Sequence, residues 1–148
     1  FPITYKARLV AKGYTQTTGI DYEETFSPVA KLNTVKTVIA LAAQKGWEIY
    51  QMDVKSAFLN GDLQEEVYMY QPEGYIKAGH ENMVCKLKKA LYGLKQAPRA
   101  WYAKLDSYLT ENGFHRCESD HSLYVKGNSG SISIVVVYVD DLVIATGN

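Results

Sequence analysis

Ser131 to Thr146 reads SISIVVVYVDDLVIAT, an apolar, β-branched run interrupted by two adjacent acids, Asp140 and Asp141. Its flanks predict buried strands, since every residue from Ile134 to Val139 is Val, Ile or Tyr and Leu142 to Ala145 resume the pattern. The acids therefore fall at a bend between two strands. A two-residue hairpin favours Asn-Gly or Asp-Gly where positive φ is needed, and Val139-Asp140-Asp141-Leu142 contains no glycine. At an effective dielectric near 20, two carboxylates about 5 Å apart repel by roughly 3 kcal/mol, a cost that a bound divalent cation reverses. The plain alternative is a solvated turn that holds two acids, because Asp is common in turns.

A third acid depends on this pair for its meaning. Trp47 to Val54 (WEIYQMDV) alternates like a strand and delivers Asp53 at its end, followed by KSAFLNGD with a turn at Asn60-Gly61. An isolated Asp at a strand end is ordinarily a cap or turn former. A strand ending in Asp53 beside a hairpin tipped by Asp140 and Asp141 would instead put three carboxylates at one sheet edge, a donor set for two hard divalent ions. Two such ions about 4 Å apart stabilise the attacking and leaving oxygens of a phosphoryl transfer.

The other elements supply a frame. Thr4 to Lys12 (TYKARLVAK) predicts a strand with Lys6 and Arg8 on one face, and Gly13 to Pro28 a long loop. Asn33 is expected to cap the helix TVKTVIALAAQK, which Gly46 ends and whose apolar face is Val35, Val38, Ile39 and Ala42. Val67 to Tyr70 and Val84 to Lys88 predict strands around a loop at Gln71 to Asn82. Leu91 to Arg99 leads into a helix with Pro98 in its first turn, Trp101, Leu105, Tyr108 and Leu109 along one face, and Gly113 at its C′ position. Lys95 and Arg99 flank its start beside Gln96, an arrangement that suits an anion or nucleotide as well as ordinary exposed cations. His115, Cys117 and His121 match no recognised ligand spacing. The order of elements predicts an α+β sheet with helices packed on one face.

Composition bounds the rest. A chain of 148 residues with 47% hydrophobic side chains is one domain's worth with material for a sizeable core. Net charge is zero, but Lys6, Arg8 and Lys12 precede the first acid, Asp21, and Lys86, Lys88, Lys89, Lys95 and Arg99 occur with no acid among them. Two cysteines without CxxC spacing point to a reducing compartment rather than a disulfide framework. No apolar run nears 18 residues, so no membrane partner is expected. The start at Phe1 and the stop just after a strand read as a piece of something longer.

The blocks YKARLVAKG, ETFSPV, QMDVKSAFLNG, VYMYQPEGY, LKKALYGLKQAPRAWY and YVDDLVIAT, in this order, resemble the reverse transcriptase of copia-type long-terminal-repeat retrotransposons over nearly the whole chain. YVDD alone would be less specific, since other polymerases carry Tyr-x-Asp-Asp; MDVKSAFLNG and LKQAPRAWY are particular to the copia type. The resemblance implies an α+β right-hand polymerase without a thumb, with fingers at about 1–32 and 61–95 and a ferredoxin-like palm at 33–60 and 96–148. It places catalysis and two Mg²⁺ ions, with Mn²⁺ as a substitute, on Asp53, Asp140 and Asp141, with Asp53 and Asp140 the more direct ligands. It puts Phe58 under the incoming sugar, Gln96 at the nucleotide pocket, Arg8 ahead of Lys6 at the triphosphate, and Lys95, Arg99 and Tyr138 against nucleic acid.

The implied activity is RNA-directed and DNA-directed DNA synthesis from deoxynucleoside triphosphates. The implied partners are an RNA template, a DNA primer and the rest of a Pol polyprotein with integrase and ribonuclease H. The implied place is a cytoplasmic virus-like particle. An RNA-dependent RNA polymerase would share the paired acids, and the bulk of Phe58 argues against one. The other alternative is a domesticated or inactive nucleic-acid-binding remnant. The segment alone is expected to be inactive for want of duplex-binding surface, with an exposed apolar edge at Leu142 to Ala145.

Overall fold

The computed structural model describes residue 3, residues 5–128 and residues 130–147. In chain order the regular elements are α1 (Leu32–Lys45), β1 (Glu48–Asp53), β2 (Tyr68–Tyr70), β3 (Val84–Lys86), α2 (Ala97–Glu111), β4 (His115–Arg116), β5 (Leu123–Asn128), β6 (Ser131–Tyr138) and β7 (Asp141–Gly147). Two single turns of 3₁₀ helix lie at Gly13–Thr15 and Ala57–Asn60. The chain divides into two compact units, one of residues 1–26 and 58–101, the other of residues 27–57 and 102–148.

The second unit is built on a five-stranded sheet of order β1-β7-β6-β5-β4, antiparallel throughout. Strands β1 and β6 run in the same direction with β7 between them, a split β-α-β arrangement in which α2 lies on the connecting chain. β6 carries the core. Ile134, Val135, Val136 and Val137 are all buried, which requires cover on both faces of the sheet. On one face Ile134, Val136 and Ala145 cluster with Ala30, Val38 and Ala42 from α1 and the segment before it. On the other face Tyr124, fully buried, bonds through its hydroxyl to Tyr102 and to Asp106 of α2. The two helices thus approach opposite faces, not the one face that element order predicts. The continuous apolar run of β6 is the physical reason: a strand covered on one side only would alternate.

Several other expectations are corrected. Strand β7 is interior to the sheet, between β1 and β6, so Leu142 to Ala145 form no exposed edge; the edges are β1 and β4, and all six residues of β1 are exposed. The N-cap of α1 is Lys31 without a side-chain bond, and Asn33 lies inside the helix. Gly46 ends that helix with left-handed φ as expected. Ile39 and Tyr108, expected on apolar faces, are exposed, while Val38, Ala42, Trp101, Leu105 and Leu109 are buried.

The first unit is mostly irregular. Its core is Val67, Ala90, Leu94 and Ala97, with Ala11, Phe58, Leu63, Leu87, Leu91 and Ala100 packed around it. Strands β2 and β3 form a short antiparallel ribbon. Residues 5–12 form no strand, and Thr4 lies outside the described residues. The alternation there has no ladder to join: Ala11 donates its N–H to the Tyr92 carbonyl at 2.7 Å, a docking of irregular chain on a turn.

Candidate functional site

The three acids lie in the second unit, at one end of its sheet. In the β1–β7 ladder Asp53 is the register partner of Asp141, and in the β6–β7 ladder Tyr138 is the register partner of Asp141. Residues directly opposite in an antiparallel pair project to the same face, so Tyr138, Asp141 and Asp53 form one cross-strand row. Asp140 stands in the turn that joins β6 to β7, and its carbonyl accepts the Val54 N–H at 2.8 Å, which ties the end of β1 to the turn. Gln51, two residues before Asp53, donates its side-chain amide to Asp141 Oδ1 at 3.4 Å.

The turn itself differs from the expected one by a residue. Its central pair is Val139-Asp140, and Asp141 already belongs to β7. Val139 has φ +56°, the left-handed value that a hairpin of this length needs at its first central position and that glycine normally supplies. A β-branched residue there is a genuine outlier, costing about 1–3 kcal/mol. Among the described residues the non-glycine residues with such φ are Val139 and Ser56, one just before Asp140 and the other three residues after Asp53.

No group of three or more His, Cys, Asp or Glu among the described residues is arranged to hold a metal ion, so the acids share a sheet end without closing a cage. The donor set nevertheless fits Mg²⁺: carboxylate oxygens alone, on adjacent strands, with the remaining positions left for water and phosphate oxygens, as that ion prefers.

The first unit holds the other predicted residues. Phe58 and Tyr92 pack with ring centroids 4.9 Å apart, tilted by 53°. The Arg8 guanidinium lies 5.6 Å from the centre of the same Tyr92 ring. Phe58 and Arg8, predicted separately, therefore meet on one aromatic that sequence reasoning passed over. Gln96 is almost fully buried; its Oε1 accepts from Gln16 Nε2 at 3.0 Å and its Nε2 donates to the Asp21 carbonyl at 2.9 Å. Gln16 Oε1 in turn accepts the Lys95 backbone N–H at 2.8 Å. Lys6, Lys95 and Arg99 are exposed, the last two flanking the start of α2.

The neighbour of Tyr92, Gly93, has φ +92° and an added Cβ there would strike the Ala11 carbonyl and Val10; in sequence that glycine marks a tight backbone without pointing to the Tyr92 ring. Gly13 likewise has no room for a Cβ against the Gly93 carbonyl. Gln16, an amide in an aperiodic loop, carries no such signal.

Residues 2–148 match the family described as reverse transcriptase (RNA-dependent DNA polymerase). The chain is 56% identical over 144 residues to the retrovirus-related Pol polyprotein from transposon RE1 of Arabidopsis thaliana, covering 97% of this chain and 10% of that protein. It is 52% identical over 143 residues to the one from transposon TNT 1-94 of Nicotiana tabacum, covering 96% of this chain and 11% of that protein. A more distant relative, the transposon Ty1-NL2 Gag-Pol polyprotein of Saccharomyces cerevisiae, is 33% identical over 150 residues, covering 95% of this chain and 8% of that protein. The chain thus spans about a tenth of the length of these relatives. No solved structure matches it.

Proposed function

The chain belongs to the reverse transcriptase (RNA-dependent DNA polymerase) family, and from that premise we propose that it performs RNA-directed and DNA-directed DNA synthesis within the Pol polyprotein of a copia-type retrotransposon. The observation that carries this reading is the register that sets Asp53 against Asp141 with Asp140 in the adjoining turn. In the proposed reaction the 3′ oxygen of a primer bonds to the α-phosphorus of a deoxynucleoside triphosphate, the bond to the β-phosphate breaks, the primer hydroxyl loses its proton and pyrophosphate leaves. Held by Asp53, Asp140 and Asp141, two Mg²⁺ ions would supply stabilisation of charge on the attacking and leaving oxygens.

The chain's own part is positional. A ladder with both neighbours of β7 in place fixes the backbone that carries Asp53 and Asp141, which is what proximity and electrostatic catalysis demand. Tyr138, on the same face and half exposed, offers an aromatic surface beside them to a nucleic-acid end. In the other unit Phe58 is the wall against a ribose 2′-hydroxyl, Gln96 lines the pocket, Arg8 and Lys6 serve the triphosphate, and Lys95 and Arg99 contact backbone phosphates. The two units support reading the chain as fingers and palm, with the divisions at 26/27, 57/58 and 101/102 differing from the implied 32/33, 60/61 and 95/96 so that Phe58 and Gln96 fall in the first unit, and the split β-α-β arrangement supports a ferredoxin-like palm. RNA template, DNA primer and the remainder of the polyprotein, integrase and ribonuclease H included, are the partners this reading entails.

The test is primer extension on an RNA template by the full polyprotein carrying Asp53→Asn or Asp140→Asn. Each amide keeps the shape and removes the charge. Extension should fall about a thousandfold or more, equivalent to roughly 4 kcal/mol of barrier, with unfolding unchanged. Near-normal extension by either variant would overturn the reading.

A further inference from the structure

We propose that Tyr92 is a positioning residue for nucleotide selection, holding Phe58 and Arg8 through one ring so that sugar discrimination and triphosphate contact depend on the same side chain. The inference rests on the proposed polymerase reading and assigns that site a residue it did not include. Three observations converge on it. The Phe58–Tyr92 pair, at 4.9 Å and 53°, lies within the range of favourable tilted aromatic pairs. The Arg8 guanidinium at 5.6 Å lies within cation–π reach of the same ring. The backbone beneath that ring is fixed: the Tyr92 carbonyl accepts the Ala11 N–H at 2.7 Å, and Gly93 packs against Ala11 and Val10 too closely for a Cβ.

A wall discriminates only if it cannot yield. Phe58 sits in a single 3₁₀ turn at the margin of the small core and is only partly buried, so its ring needs support from a second rigid group. Tyr92, partly buried on a pinned backbone, is that support. The flexible Arg8 side chain is exposed, and the Tyr92 ring limits where its guanidinium can rest.

The experiment measures incorporation of single ribonucleotides and deoxynucleotides by the full polyprotein polymerase as wild type, Tyr92→Ala, Tyr92→Phe, Phe58→Ala and the Tyr92→Ala/Phe58→Ala double variant. Tyr92→Ala should raise the ribonucleotide to deoxynucleotide ratio roughly tenfold and raise the deoxynucleotide KM more than it lowers kcat. Tyr92→Phe, which keeps the ring, should restore the wild-type ratio. Phe58→Ala should raise the ratio further, and Tyr92→Ala should add nothing in that background, because coupled residues are non-additive. If Phe58→Ala raises the ratio while Tyr92→Ala slows both nucleotides equally, or adds in full to Phe58→Ala, the assignment of Tyr92 falls alone. If Phe58→Ala leaves the ratio unchanged, Phe58 is no wall, and both the pocket reading and the role of Tyr92 fall with it.

Discussion

Asp53 and Asp141 face each other because strands are in register, whereas Gln96 and Gln16, or Arg8 and Tyr92, meet because irregular chain is pinned by individual contacts. The first region draws its order from ladders on both sides of β7 and from a core that covers both faces of β6. The second draws it from two glycines pressed against backbone, a side-chain amide relay and one aromatic. A ladder spreads its stability over many equivalent bonds. A clasp concentrates it in a few, so single substitutions should be felt unequally in the two regions.

After the acid substitutions, which act on chemistry, the largest effect should fall on the clasp. Gly93→Ala would impose a Cβ at φ +92° against the Ala11 carbonyl on one side and the Val10 side chain on the other, and the Ala11 backbone has little room to yield. The expected cost is roughly 3 kcal/mol of local stability. Hydrogen exchange of the Ala11 amide should accelerate while amides of β6 and β7 keep their protection. Loss of protection in both regions together would show that the clasp is no separate entity, and the contrast would collapse.

The same difference explains what was legible in the sequence. Period-two alternation and β-branched runs mark strands wherever a ladder exists, so β1, β6 and β7 are readable, and with them the register that sets Asp53 opposite Asp141. Thr4 to Lys12 shows the limit: alternation was present, but residues 5–12 have no ladder to join and form no strand. A capping residue type near the helix start makes Asn33 look like the cap, whereas Leu32 already belongs to α1 and the Lys31 carbonyl accepts the first helical bond, from Val35. The clasp was illegible for a different reason. Gln16–Gln96 and Phe58–Tyr92 are contacts between residues far apart in the chain, and no local pattern encodes them.

A smaller effect should come from within the ladder region, where the turn works against it. Val139→Gly removes the left-handed strain of a β-branched residue at φ +56° and adds chain entropy to the unfolded state. The net expectation is a gain of about 1 kcal/mol in stability. A freer backbone at the neighbour of Asp140 should at the same time lower the polymerisation rate severalfold. Thermal unfolding and primer extension on the same variant check both halves. A variant that is neither stabilised nor slowed would mean that the outlier stores nothing and that the ladder alone sets the acids.

The smallest effect tests whether the ladder-built unit contains a clasp of its own. Half-buried Asp120 accepts from the Ser122 N–H at 3.0 Å, and its other oxygen accepts from Thr34 Oγ1, which joins the loop before β5 to the start of α1. Burial pushes its pKa up, but the hydrogen bonds from Ser122 and Thr34, with the Lys31 charge nearby, outweigh it and hold the carboxyl below the ordinary value of 3.8. The folded state therefore binds this proton less readily than the unfolded state. The associated stability is fully present above pH 3.8 and is lost as pH falls through the lowered folded value. Asp120→Asn keeps one acceptor oxygen and removes the titration. At neutral pH it should lower stability by under about 1 kcal/mol, a shift of roughly 2–4 °C in Tm. The difference from the wild type should close progressively below pH 3.8, as protonation makes the native aspartate resemble the amide. A gap that stays constant or widens in acid would show that the Thr34–Asp120–Ser122 contact depends on shape rather than charge, leaving the sheet as the sole source of order in that unit.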